Sequence, residues 1–369
     1  MRLARTALGL LVVVALAIWG LRATAGDHAA GHSAITRPTV PSAAGSTTPV
    51  TRSALGDGRS VTIAFGGDVH FEGSLADRLT ADPPTALQPV ATLLAGADLT
   101  MVNLETAVTE DGTCPQPQAK EFVFHTPATA YTALRGADVT VVTQANNHGE
   151  DCGPQGLQET LAAAGAAKFP VIGIGENEAA ALRPYRTIIK GQRIAIIAAT
   201  DVLDSNLATA WTATPTQPGL ASAYDLPALV AAVRAARASA DTVIVYLHWG
   251  TETQTCPNAA QPPLARALVQ AGADVVVGTH AHVQLGAGYL GDAFVDYGLG
   301  NLAFYDNTPP EDYSGVLDVT VTGRHIDGFS WRPAVLADSL PVPLTGGAAS
   351  AAVQRWDGLR SCTDLTAAP

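Results

Sequence analysis

From Val61 onward the chain alternates short apolar runs with polar clusters and longer helix-like stretches. The runs at 61–68, 98–105, 139–146, 193–201, 242–248 and 274–280 are rich in Val, Ile and Thr and bounded by turn residues. They are too short for buried helices, so they predict strands covered on both faces. Between them, 84–95, 127–135, 154–164, 226–239 and 260–271 predict helices, with Pro154 at a helix start and Gly165 and Gly272 at helix stops. This alternation predicts an α/β fold. After Ala293 it ends, and 294–297, 315–321 and 325–331 read as antiparallel strands, the last two joined by a turn at Thr322-Gly323-Arg324. A last helix is expected within 346–359, carrying Trp356. One domain of roughly 300 residues accommodates all of this.

The N-terminal pattern differs. Arg2 and Arg5 precede an apolar run at 6–21, and Ala23-Thr24-Ala25 has the small-x-small form that a signal peptidase accepts. Residues 1–25 are therefore expected to be a cleaved signal peptide or a retained membrane anchor, the latter needing tilt and Arg22 to reach the ~20 residues of a span. Either predicts export, to the medium or to the outer face of the cytoplasmic membrane. Residues 26–58, rich in Ala, Ser, Thr and Pro, read as a flexible linker in which His28 and His32 are solvated. The domain is expected at 59–340 and a tail at 341–369.

Composition narrows the partners. With 47% hydrophobic and 15% charged residues among 369, the chain is neither disordered nor a coiled coil. Asp and Glu number 33 against 21 Lys and Arg, a net charge of −12, with no basic run after the leader. That argues against nucleic acid. Only Lys120, Lys168 and Lys190 are lysines. The four cysteines form no CxxC pair, which disfavours a zinc ribbon, and an exported chain would keep them as disulfides in one of three connectivities.

The informative feature is what ends each run: Gly66-Gly67-Asp68-Val69-His70, Asn103-Leu104-Glu105, Asn146-Asn147-His148-Gly149-Glu150-Asp151, His248-Trp249-Gly250 and His280-Ala281-His282. Carboxyl ends of strands in open α/β sheets line the ligand crevice. Five ends thus bring imidazole, carboxylate and carboxamide to one edge, a donor set for metal ions without thiolate. No GxSxG or GxxxxGK[ST] run is present.

With Gly298-Leu299-Gly300-Asn301, these motifs in this order resemble those of the CapA family over residues 61–307. These are the poly-γ-glutamate capsule synthesis proteins of the metallophosphoesterase-like superfamily. The resemblance implies a four-layer α/β/β/α sandwich of two mixed sheets with two divalent metal ions (Mn, Fe or Zn) at their edge. It implies Asp68, His70 and His282 on one ion, Asn147, His248 and His280 on the other, and Glu105 bridging where the superfamily has Asp. His148 would be the proton donor, oriented and kept protonated by Asp151 or, second to it, Glu150. Asn103, His125, Trp249 and Asn301 would face substrate, with His125 standing where the family's F-x-F-R-x-P segment has Arg; Tyr305 would help wall the cleft. The favoured disulfides are Cys114–Cys152, bracing the loop with His148, and Cys256–Cys362, pinning the tail.

The function implied is that of an exported metal-dependent hydrolase or transferase acting on an extracellular anionic polymer, beside membrane capsule-synthesis machinery. A phosphoesterase acting on phosphate esters and a non-catalytic assembly factor are the alternatives.

Overall fold

The computed structural model describes residues 57–305 and 308–369; the leader and nearly all of the linker lie outside the described residues. Two sheets are built from β1 (Val61–Val69), β2 (Leu99–Leu104), β3 (Val141–Thr143), β4 (Val171–Ile172), β5 (Tyr185–Ile189), β6 (Gln192–Thr200), β7 (Thr242–Trp249), β8 (Val275–His280), β9 (Ala287–Leu290), β10 (Ala293–Asp296), β11 (Asn301–Ala303), β12 (Tyr313–Thr322), β13 (His325–Ala337) and β14 (Leu340–Pro343). The eight-stranded sheet runs β14-β13-β12-β1-β2-β3-β4, with β11 also paired to β1. The six-stranded sheet runs β9-β10-β8-β7-β6-β5. Both mix parallel and antiparallel pairs.

Strand alternation explains the layers, because successive side chains point to opposite faces. Ile63, Phe65, Met101 and Val141 meet Ile196, Ile244, Tyr246 and Val277 between the sheets. Their neighbours Ala64, Val102 and Val142 face the helices α1 (Ser74–Ala81), α2 (Gln88–Leu94) and α3 (Ala130–Gly136) through Leu75, Leu79, Val90 and Leu134. The helix α4 (Gly153–Ala167) follows the motif loop after β3. On the far side Val243, Val245 and Leu247 meet α5 (Leu226–Arg237) and α6 (Gln261–Ala271). The result is the expected α/β/β/α sandwich.

Three expectations are corrected. The helix expected at 84–95 divides into a 3-10 turn, Pro83–Thr85, and α2, whose first turn holds Pro89. A proline there suits a helix start but would break a helix interior. The strand expected at 294–297 is β10, antiparallel to β9 but parallel to β8. The hairpin to β9 reverses the chain first, so β10 returns in the direction of β8. The tail is part of the core: in α7 (Gly346–Gly358) Trp356 is buried and stacks on Trp331 at 5.4 Å.

The structure pairs Cys114 with Cys152 and Cys256 with Cys362. The first joins the loop after β2 to the start of α4; the second ties the end of the chain to the loop after β7.

Candidate metal centre

The inward-facing parity that builds the inter-sheet core continues past the strand ends and delivers the polar residues. Asn103 and Glu105 follow Met101 at steps of two, and His248 follows Ile244 and Tyr246. Asp68 needs a correction to that rhythm. Between Phe65 and Asp68 the β1–β2 register gains one residue, since Phe65 pairs with Met101 and Asp68 with Asn103. This bulge turns Asp68 inward while Val69 faces the helices. Gly67 permits it, because a Cβ there would meet the Gly300 carbonyl oxygen at 1.7 Å.

Asp68 is bordered by Asn103 and Asn301 in register on its two sides. Its Oδ1 accepts from Asn103 Nδ2 at 2.8 Å, and its Oδ2 accepts from the His280 backbone N–H at 3.1 Å. His280 and His282 both hold positive φ, 96° and 57°. This uncommon backbone for side-chain-bearing residues re-aims the two imidazoles after β8.

Two groups of side chains have converging ligand atoms within 4.8 Å: Glu105 with His280 and His282, and Asp68 with Glu105 and His248. Glu105 is common to both. It is fully buried, and neither carboxylate oxygen has a hydrogen-bond partner. Burial, then the neighbouring Asp68 charge, push its carboxyl well above the usual range. A buried carboxylate left in this state is costly unless a cation compensates it. The residues therefore fit divalent metal, with Glu105 positioned to bridge.

The imidazoles of His248 and His282 differ in their protonation bias. Burial lowers His248 to about 3, so it is the neutral, metal-binding form. Its Nε2 lies 2.7 Å from Asn147 Oδ1 and 3.4 Å from Glu105 Oε1. His282 places Nδ1 2.9 Å from Asn301 Oδ1, which leaves Nε2 for a ligand role. Burial works against charge on His282, but Glu105 and Asp68 overcome it and raise its pKa.

Residues 62–306 match the family described as bacterial capsule synthesis protein PGA_cap. The chain belongs to that family. It is 28% identical over 288 residues to the PGA biosynthesis protein CapA of Bacillus subtilis (strain 168), covering 77% of this chain and 74% of that one. It is 34% identical over 175 residues to the capsule biosynthesis protein CapA of Bacillus anthracis, covering 47% and 42%. Among solved structures it resembles a phosphatase of Mycoplasma pneumoniae, with TM-score 0.47, 13% identity and coverage of 75% and 94%.

Within this PGA_cap chain several expected roles change. His70 stands outside the two groups: its Nε2 accepts the Tyr305 backbone N–H at 2.8 Å and its ring packs 4.0 Å from Phe304, while its Nδ1 is buried without a hydrogen-bond partner. Asn103 and Asn301 place their side chains on Asp68, His248 and His282. His125 turns its Nδ1 to the Gly112 carbonyl at 2.7 Å, and Tyr305 stands over His70, half-exposed at the rim. Trp249 faces away from the site altogether. It continues the outward parity of Val245 and Leu247, is fully buried, and donates from Nε1 to the Tyr297 carbonyl at 3.0 Å. Trp249→Phe is therefore expected to cost about 1 kcal/mol of stability through that hydrogen bond and leave metal content unchanged. Denaturant melts and metal analysis check this together.

His148 lies beside Asp151, as expected. Its Nδ1 lies 2.6 Å from Asp151 Oδ2, and its ring stacks on Phe124 at 4.0 Å. Burial, followed by the Lys120 charge, holds its pKa well below 6.5. That direction favours the neutral imidazole, and the short contact suits an Nδ1–H donated to Asp151. Burial lifts Asp151 itself to about 6, against the pull of Lys120. Lys120 is the site residue that the motifs did not reveal; it lies 2.9 Å from Asp151 Oδ1. Its only signals were lysine scarcity and its place between Cys114 and Cys152.

Proposed function

We propose that the chain is an exported metal-dependent hydrolase or transferase of capsule synthesis, acting on an extracellular anionic polymer of the poly-γ-glutamate type. The observation that carries this is Glu105, buried without a hydrogen bond and shared by two converging ligand groups. Asp68, His248 and Glu105 would hold one ion, and His280, His282 and Glu105 the other. When bound, such ions polarise an acyl or phosphoryl oxygen and lower the pKa of water to make a nucleophile. The chain's own part is orientation and proton handling. Asp151 fixes the His148 tautomer, which leaves His148 Nε2 to exchange a proton with the reacting group. Asn103 and Asn301 hold Asp68 and His282 in place.

Export is supported by the leader pattern and by two disulfides, which persist outside the cytoplasm. Among the described residues, no helix is long and apolar enough to cross a membrane. The membrane capsule-synthesis machinery is the partner this reading implies.

The test is metal analysis joined to a hydrolysis screen on poly-γ-glutamate and a chromogenic phosphodiester. Wild type is expected to carry divalent metal and cleave the polymer. His148→Ala is expected to retain the metal and lose roughly a hundredfold or more in turnover. Metal-free wild type after metal-replete purification would reject the centre. Turnover of the phosphodiester alone would move the assignment to a phosphoesterase. Bound metal with neither activity would favour the assembly factor.

A further inference from the structure

We propose that Lys120 is a positioning residue of this centre: its one ammonium locks the backbone at Asn147 and the carboxylate of Asp151, and so aims the Asn147 and His148 side chains. The proposal rests on the metal reading only through His248, which Asn147 Oδ1 faces.

The Lys120 side chain is 7% exposed, and its ammonium reaches two other loops. It donates to the Asn147 carbonyl, lies 2.9 Å from Asp151 Oδ1, and lies 3.4 Å from Asp204 Oδ2 in the loop after β6. Of these, the Asn147 carbonyl takes a hydrogen bond and the two carboxylates are ion-pair partners, while His148 Nδ1 lies 3.4 Å from the same ammonium. Burying a lysine is costly unless it is paired, so this arrangement persists because the charge is distributed over fixed partners.

The contacts fall on both flanks of His148. The carbonyl belongs to the residue before it, and the carboxylate that accepts its Nδ1–H belongs to the residue three after it. Lys120 thus spans the turn that presents Asn147 Oδ1 to His248 and His148 to the cleft.

Loop docking does not depend on Lys120. The Gln118 N–H reaches the Asp151 carbonyl at 3.0 Å, the Phe124 N–H reaches Asp151 Oδ2 at 2.6 Å, and Cys114–Cys152 anchors the segment covalently. Removing the ammonium should loosen the aim of the turn and leave the loop in place. That separates a positioning role from a merely structural one.

The experiment compares the wild-type chain with Lys120→Met by two readouts. In metal-free protein, nitrogen-15 histidine NMR follows the His148 Nδ1–H bonded to Asp151; the variant is expected to lose or average this resonance while melting close to wild type. Zinc calorimetry is expected to show one site weakened about ten- to a hundredfold, as when groups supporting a metal ligand are removed. An intact His148 resonance with wild-type zinc affinity would overturn the proposal. If the Met variant does not fold, Lys120→Gln, which keeps a donor and drops the charge, is read the same way: a lost resonance supports the role, and an unchanged resonance and affinity overturn it. Wild type that binds no zinc, with the resonance lost in the variant, would support Lys120 and reject the metal reading.

Discussion

Glu105→Gln is expected to abolish stabilisation by divalent cations while making the metal-free protein more stable at pH 8. Both effects follow from a carboxylate fully buried with no hydrogen-bond partner. In wild type, a cation at a hundredfold its Kd adds about 2.7 kcal/mol. At about 2–4 °C per kcal/mol this is a shift of roughly 5–10 °C. Without metal the same group is a liability. Burial and Asp68 raise its folded pKa well above 4.5, so the folded state binds a proton that the unfolded state has released. Its contribution is intact below the unfolded pKa and is lost as pH rises toward the folded one. The advantage of the Gln variant should therefore vanish near pH 4 and grow with pH. Thermal melts with chelator and with Mn²⁺, at pH 4 and pH 8, read both halves. Equal metal-induced shifts in the two proteins would remove Glu105 from the centre.

Asp296→Asn carries the second large effect, and it concerns the turn that delivers Asn301. Asp296 ends β10, is fully buried, and accepts the Gly298 N–H at 2.8 Å through Oδ1, while Oδ2 has no hydrogen-bond partner. Burial raises its pKa to about 8, so the native group holds its proton at neutral pH. The folded pKa lies above the unfolded value of 3.8, so stability declines as pH climbs from about 4 to about 8. At 1.36 kcal/mol per unit the full decline is on the order of 5 kcal/mol. Asn has the same shape and no titration, so the variant should lack this slope, matching wild type near pH 4 and exceeding it above pH 8. Denaturant unfolding in chelator across pH 4–9 measures the difference between the curves. Parallel curves would show that Asp296 is not buried as described.

Much of the site was legible because strand parity is local. From Ile244, steps of two reach His248 on the inner face, and steps from Val245 reach Trp249 on the outer one. Counting along the run places His248 in the cleft and removes Trp249 from it, a distinction that grouping His-Trp-Gly as one motif conceals. Asp68 resists the same count, because the extra residue between Phe65 and Asp68 is visible only once β1 lies beside β2. His280 resists it too: parity with Val276 would send it toward the helices, and a positive φ turns it back.

Lys120 was illegible for a different reason. Its partners Asn147, Asp151 and Asp204 lie 27 to 84 residues away, and no short pattern joins them. His70 shows the converse. Its spacing from Asp68 fits a ligand pair, but only the fold shows that the Tyr305 N–H takes Nε2 and leaves Nδ1 as the ring nitrogen without a hydrogen bond.

The sequence by itself determined the α/β alternation, the two packed faces of each central strand and the polar residues at their ends, because these depend on local periodicity and residue chemistry. Tertiary structure alone decided which of those residues converge, which act as anchors, and that Glu105 stands between two ligand groups. The reason is physical. Register shifts, positive-φ turns and burial arise only when distant segments pack, and burial is what makes a carboxylate without hydrogen bonds require a cation or a proton.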